Sequence, residues 1–379
     1  MESKPNKTKK VILTGGHGAT SALAVIEQMY KEAGPPSPGA SARQGWDVYW
    51  IGPRSAFDGS RVATLEQRVF PRYGVSLHSL VSGKLHRKFS IHALHSLARV
   101  PFGFIHALYL VAKIRPEVIL SFGGGVSIPV VLAGWILRIK VVIHEQTVTA
   151  GLANKISSMF ASKIAISRKE SEEHFDKRKT VLVGLPLLAN VCLVTAKKKL
   201  AKIPIIYITC GSRGAMRVNR AIEKALNRLL EDFVVVHQTG NADYKRFVGI
   251  RGDLFKAKRD RYEVYEFIDP EEIGGVYDRA DLVIARGGAH TVAEIIATRR
   301  PAVIIPIPWA RYDEQTKNAR FAEKLGIARV LTEDELSDES LLLKVSEVKK
   351  DWEKMAKSDV AKVRDVDCEA SRKLVELLV

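Results

Sequence analysis

Short runs of β-branched and aliphatic residues alternate along this chain with longer stretches of helical periodicity. That alternation predicts parallel sheets covered on both faces by helices. In the first half the runs at 11–14, 48–51, 75–77, 118–121, 141–143, 164–166 and 181–183 read as strands. A second series begins at 203–209 and continues at 234–238, 262–265, 282–285, 302–305 and 328–331. Between the two, 185–202 mixes proline, small residues and Lys197-Lys198-Lys199, the composition of a linker. Two tandem α/β domains follow, 1–186 and 187–356. In the last stretch, Val363, Val366, Ala370 and Leu374 recur at helical spacing, so 357–379 is expected to pack against the fold.

Three segments need separate reading. Residues 118–137 carry no charge and are long enough to cross a bilayer, but Gly123-Gly124-Gly125 and Pro129 divide them into strand, loop and helix, the interior of an α/β unit. Residues 34–45, GPPSPGASARQG, read as a surface loop without chemistry. Residues 84–114 interleave cations and histidines with apolar positions such as Phe89, Phe102, Ile105 and Leu108, and are expected to break at Pro101-Phe102-Gly103. Basic and apolar residues in one helical region fit a surface resting on anionic lipid; they also fit apolar positions turned to the sheet with a solvated rim of cations.

A length of 379 residues exceeds one ordinary core and agrees with two domains. The formal charge of +17 is unevenly placed: between Gln67 and Gln146 the only acids are Glu117 and Glu145. An anionic surface or a polyphosphate substrate is the implied partner, and no recognised nucleic-acid module is present. Cys192, Cys210 and Cys368 show no metal-ligand spacing and suggest no disulfide framework, which fits a reducing compartment. The basic N-terminus lacks an apolar signal core, which points away from export.

The candidate chemistry lies at strand-to-helix turns. Thr14-Gly15-Gly16-His17-Gly18 follows the first strand, and glycines there let a ligand approach backbone N–H groups at a helix start. It lacks the third glycine of a dinucleotide fingerprint, and no acid ends the second strand, so a nicotinamide cofactor is disfavoured. His17 stands where a base would be useful, or caps the following helix. Gly211-Ser212-Arg213-Gly214-Ala215 opens the second series with a similar turn, to which Ser212 and Arg213 add anion-binding groups. His144-Glu145-Gln146 ends the fifth strand, where cations would keep Glu145 ionised or tie it into a structural ion pair.

The segment 285–318 is the richest. A buried strand passes through Gly287-Gly288 into a helix expected to open at His290-Thr291. Glu294, three residues after Thr291, is placed either to bind two ribose hydroxyls or to complete a Thr-x-x-Glu capping box that binds nothing. Asp365-Val366-Asp367 reads as a solvated helix face rather than a metal site. No phosphate-loop lysine motif and no serine-hydrolase elbow appear, so neither metal nor cofactor is called for.

Taken together these blocks resemble the MurG-type N-acetylglucosaminyltransferases of glycosyltransferase family 28. The likeness is carried by Phe122-Gly123-Gly124, His144-Glu145-Gln146 and Ala150-Gly151-Leu152-Ala153-Asn154 in the first domain. In the second it is carried by 211–215, His237-Gln238-Thr239-Gly240, Glu266-Phe267-Ile268-Asp269, Gly288-Ala289, Thr291-Val292-Ala293-Glu294, and Gln315 with Asn318-Ala319.

The resemblance implies a GT-B fold, two Rossmann-like domains facing a cleft, with the final helix returning to the first domain. It implies a metal-independent inverting transfer of N-acetylglucosamine from UDP to undecaprenyl-diphosphate-linked N-acetylmuramoyl-pentapeptide at the cytoplasmic face of the membrane. By position, Ser212 and the Ala289, His290 and Thr291 turn would meet the diphosphate, with Arg213 stabilising it as it leaves, Gly16 and Gly214 would contact the donor, and Ile268 would meet the uracil, Glu294 the ribose and Gln315 the sugar. Gly124, Gly125, His144, Thr147 and Asn154 would face the acceptor, with His17 as general base and Glu145 as its orienting partner or rival. Departures fall mainly in the acceptor half: Gly125 replaces a tyrosine, Thr147 an asparagine and Leu188 an arginine, while Gly287 replaces a serine in the donor half. A related transferase with another glycolipid or polysaccharide acceptor is the nearest alternative, and a non-catalytic basic binding protein the more distant one.

Overall fold

The computed structural model describes residues 8–16, 18–33, 45–53, 64–80, 91–211 and 215–379. The chain forms two units, 1–186 with 369–379, and 187–368.

The sheet of unit 1 contains β1 (Lys9–Thr14), β2 (Trp46–Gly52), β3 (Ser76–Ser79), β4 (Val118–Ser121), β5 (Lys140–Glu145), β6 (Lys163–Ile166) and β7 (Thr180–Leu182). All pairings are parallel in the order β3-β2-β1-β4-β5-β6-β7, so the winding reverses between β1 and β4. Its central strands are buried on both faces, which is why they read as unbroken aliphatic runs. On one face Ile12, Ile119, Val141 and Ile143 meet Leu110, Val111 and Ile114 of the helix Ile91–Ile114 and Val130 and Val131 of the helix Ser127–Ile136.

The helix Ile91–Ile114 runs through Pro101, where the sequence suggested a break. Proline costs one helical hydrogen bond, and Pro101 is exposed, so the carbonyl it leaves unpaired can turn to water.

Unit 2 repeats the plan with β8 (Ile205–Thr209), β9 (Val234–Gln238), β10 (Tyr262–Tyr265), β11 (Leu282–Ala285), β12 (Ala302–Ile304) and β13 (Ala328–Val330). Their order, β10-β9-β8-β11-β12-β13, reverses between β8 and β11. Side chains alternate across this sheet. Ile206 and Ile208 join Val218, Ile222 and Val345 on one face, while Tyr207 and Val283 join Tyr277, Ile295 and Ile296 on the other.

Three expectations change at the ends of unit 2. The 185–202 stretch is no loose linker: Leu187, Leu188, Val191 and Val194 are buried, and the turn Ala189–Cys192 packs on the helix Ile273–Arg279. The terminal stretch is two helices. Ala361–Cys368 packs on Ala289–Thr298 within unit 2, and only Ala370–Leu378 belongs with unit 1, packed on Ala19–Ala33, so the boundary falls at 368 rather than 356. Asp367 is fully buried while Asp365 pairs with Arg364 on the outside, so the Asp-x-Asp is not a uniformly solvated face.

The cysteines overturn the sequence reading as well. Cys192 and Cys368 form a disulfide with Cα atoms 5.7 Å apart, and Cys210 is a buried thiol pushed up to about 12 by burial. Residues 176 apart in sequence give no spacing signal from which to predict a bridge.

Candidate functional site

In unit 1 three turns converge at the switch between β1 and β4, the position where doubly wound sheets bind ligands. Gly16 N–H donates to the Gly123 carbonyl (2.9 Å) and Phe122 N–H to the Thr14 carbonyl (2.8 Å), joining the turns after β1 and β4 backbone to backbone. Gly124 must be glycine here: its φ is +88°, and a Cβ would stand 2.9 Å from Gly16 N. Gly125 is exposed and faces open space. Gln146 bridges the third turn. Its Nε2 donates to the Phe122 carbonyl at 3.0 Å and its Oε1 accepts from Ser21 Oγ at 3.2 Å. The sequence reading named Gln146 within His144-Glu145-Gln146 but gave it no contact of its own. His17 and the insertion 34–44 lie outside the described residues.

Glu145 is buried and organises its own loop. Oε1 accepts from Thr147 N–H (3.1 Å) and Thr147 Oγ1 (3.0 Å), while Oε2 accepts from Gly151 N–H (3.0 Å) and Asn154 Nδ2 (2.9 Å). These donors replace the cations expected around it, and no ion pair reaches Glu145 among the described residues. Both oxygens are engaged, which suits a scaffold for 145–154 better than a base. Asn154 is likewise buried, its second bond going to the His144 carbonyl at 3.2 Å. Thr147 is only partly covered.

His144, expected among the acceptor contacts, has no exposed surface. Its Nε2 donates to the Gly184 carbonyl at 2.9 Å, and burial lowers the imidazole to about 4, so it is neutral at physiological pH. In this structure His144 supports β5 from inside, its imidazole closed off from solvent.

Unit 2 gathers its groups at the C-terminal ends of the paired strands β8 and β11, where the winding reverses. The helix after β11 is Ala289–Thr298, one residue longer at its start than expected, with extended Gly288 at the cap position and no side chain capping it. The backbone groups of Ala289, His290 and Thr291 therefore open the helix. Thr291 is the third helical residue and cannot serve as cap, which removes the capping-box reading of Glu294. Burial pushes the Glu294 carboxyl up to about 7, opposed in part by Tyr277, whose hydroxyl donates to Oε2 at 3.0 Å. Tyr277 sits on a separate helix, and no sequence spacing linked it to Glu294.

Gln315 lies in the first turn of the helix Glu314–Lys324, and its Oε1 accepts from Ile307 N–H at 3.1 Å. Asn318 on the same helix donates to the Gly287 carbonyl at 3.1 Å. A Cβ at Gly287 would collide with the Gln315 carbonyl oxygen, so glycine here lets the two helix starts close together. Just before Gln315, Tyr312 and Asp313 both adopt left-handed backbone (φ 55° and 56°), and Trp309 and Tyr312 are exposed. Sequence gave no sign of this loop.

Ile268, the expected uracil contact, is buried, and its N–H already donates to Gln238 Oε1 at 3.2 Å. His237 is fully buried and held low, to about 3, by desolvation, a core histidine between Asn219 and Tyr262. Ser212, Arg213 and Gly214 lie outside the described residues. Among the described residues no group of three His, Cys, Asp or Glu side chains could hold a metal ion.

Two parallel sheets, each reversing its winding at a switch point, are the GT-B architecture, and family models that match both halves make this chain a glycosyltransferase. Residues 42–166 match the glycosyltransferase family 28 N-terminal domain and residues 205–370 its C-terminal domain. The chain belongs to glycosyltransferase family 28.

It is 32% identical over 350 residues to a Bacillus cereus UDP-N-acetylglucosamine–N-acetylmuramyl-(pentapeptide) pyrophosphoryl-undecaprenol N-acetylglucosamine transferase, covering 90% of this chain and 91% of that one. A transferase of the same name from Lachnospira eligens is 34% identical over 352 residues, with coverage of 89% and 90%. Among solved structures, MurG of Acinetobacter baumannii superposes with a TM-score of 0.68 at 24% identity, covering 98% of this chain and 99% of that one.

Proposed function

We propose that the chain transfers N-acetylglucosamine from UDP-N-acetylglucosamine to undecaprenyl-diphosphate-linked N-acetylmuramoyl-pentapeptide, a step of peptidoglycan synthesis. The observation that carries the donor half is the second switch point. There a helix start at Ala289–Thr291, with glycine at the cap position, stands one turn before Glu294, and Gln315 lies on the adjoining helix. The helix start receives the diphosphate together with Ser212, Glu294 accepts from the ribose hydroxyls, and Gln315 meets the sugar.

In the reaction an acceptor hydroxyl oxygen bonds to the anomeric carbon as the bond from that carbon to the UDP oxygen breaks. The bonding pair leaves with the β-phosphate, and the hydroxyl proton passes to a base. His17 is our candidate for that base, since Glu145 has both oxygens engaged.

The surface of unit 1 supports a lipid-borne acceptor. The helix Ile91–Ile114 has two apolar stripes: Ala107, Leu110, Val111 and Ile114 face the core, while Phe102, Ile105 and Tyr109 are 70%, 61% and 58% exposed. The adjoining helix Ser127–Ile136 adds exposed Trp135 and Ile136, followed by Leu137, with Lys113, Arg115, Arg138 and Lys140 nearby in sequence. No described helix is long and apolar enough to cross a membrane. We infer that this patch rests on an anionic leaflet, the cations on headgroups and the aromatics at the interface.

Incubation with labelled UDP-N-acetylglucosamine and the lipid-linked muropeptide tests the reading. Labelled disaccharide lipid is expected, and its absence, with product on another glycolipid, would pass the assignment to the related-acceptor reading. In the same preparation Phe102→Glu with Trp135→Glu should release the protein from anionic vesicles. DNA binding that exceeded vesicle binding would instead favour the non-catalytic basic protein.

A further inference from the structure

Unit 2 holds an ion group with no role in the assignments above. Glu333, just beyond β13, is almost fully buried; its Oε1 accepts from Arg217 Nη1 at 3.0 Å and its Oε2 from Arg286 Nη1 at 2.6 Å. A carboxylate at that depth requires a cation, and one arginine would suffice. Two leave a surplus positive charge at the C-terminal edge of the sheet.

Their placement gives that surplus a purpose. Arg286 joins β11 to the Gly287-Gly288 turn, donates to the Ile305 carbonyl at 3.2 Å, and has a buried Nε without a partner. Arg217 stands in the first turn of the helix Met216–Asp232, the helix that follows β8 in the chain, with its side chain 57% exposed. The two arginines therefore come from the elements that follow β8 and β11, the paired strands between which the winding reverses. Arg286 fixes Glu333, and Glu333 holds Arg217 by a single nitrogen, leaving the rest of that guanidinium fork for an anion.

We infer that Arg217 is a ligand of the donor diphosphate, that Glu333 is the positioning residue that aims it, and that Arg286 keeps Glu333 in place. This rests on the UDP-sugar reading of unit 2. Fixed guanidinium charge would stabilise the diphosphate as the glycosidic bond breaks, where stabilisation is most effective.

The full-length protein is titrated with UDP and with uridine, which lacks the diphosphate, in wild type, Arg217→Ala, Arg217→Lys and Glu333→Gln. Arg217→Ala should weaken UDP binding by about 10- to 100-fold and leave uridine binding unchanged. Arg217→Lys should recover part of the loss, and Glu333→Gln should lower UDP affinity and kcat with uridine again unaffected. Arg217 is exposed, so its alanine variant keeps the fold, which a thermal melt verifies. Equal losses for UDP and uridine, or no loss for UDP, would overturn the inference and leave a purely structural clamp. Wild type binding neither UDP nor UDP-N-acetylglucosamine would overturn the donor reading and this inference together.

Discussion

Gln in place of Glu294 keeps the shape of the side chain beside Tyr277 and removes its titration. In the folded chain burial lifts this carboxyl from 4.5 to about 7, against a smaller opposing effect of the Tyr277 hydroxyl. A folded value above the unfolded one means that the native state binds the extra proton. Stability is therefore insensitive to this group below pH 4.5 and declines as pH rises from there through 7. The full difference corresponds to about 3 kcal/mol. Glu294 keeps partial contact with solvent, which brings the expected effect to about 2 kcal/mol. Glu294→Gln has no proton to lose, so urea unfolding should find it equal to wild type near pH 5 and about 2 kcal/mol more stable at pH 8. UDP affinity should move the other way, falling about 10-fold at pH 8 as the ribose hydroxyls lose a charged acceptor. A stability difference of the same size at both pH values would refute the burial argument. Added stability with unchanged UDP affinity would take Glu294 out of the ribose site.

Gly124→Ala places a Cβ against Gly16 N at φ +88° and should cost about 1–3 kcal/mol in urea unfolding; it should depress transfer while leaving UDP binding in unit 2 intact. Cys192→Ser should lower the stability of unit 2 by about 2–5 kcal/mol without reductant, the value expected for closing so long a loop. With dithiothreitol the variant and wild type should coincide, and thiol counting on denatured, unreduced wild type should find Cys210 alone.

Both sheets were legible because parallel strands buried on two faces must be continuous aliphatic runs, as Val118–Ser121 and Leu282–Ala285 are. Local patterns misled where tertiary context decided the outcome. Thr291 and Glu294 have capping-box spacing, yet Gly288 takes the cap position and frees Glu294 to meet Tyr277. Pro101 signals a break, yet its exposed position tolerates a continuous helix. His144 lies near the end of β5 and Asn154 in the helix Leu152–Ser158, and burial turns both inward toward Gly184 and Glu145. The Arg217–Glu333–Arg286 group and the Cys192–Cys368 bridge join residues far apart in sequence, and no local spacing encodes such meetings.

That bridge has a consequence for how the gene can be cut. Unit 2 interrupts unit 1, which resumes at Glu369, and the bridge holds Cys192 and Cys368, near the two ends of unit 2, with Cα atoms 5.7 Å apart. The two ends of unit 2 are thus fastened covalently to each other. A gene fragment cut to encode 187–368 therefore carries both cysteines of the fastening that closes unit 2.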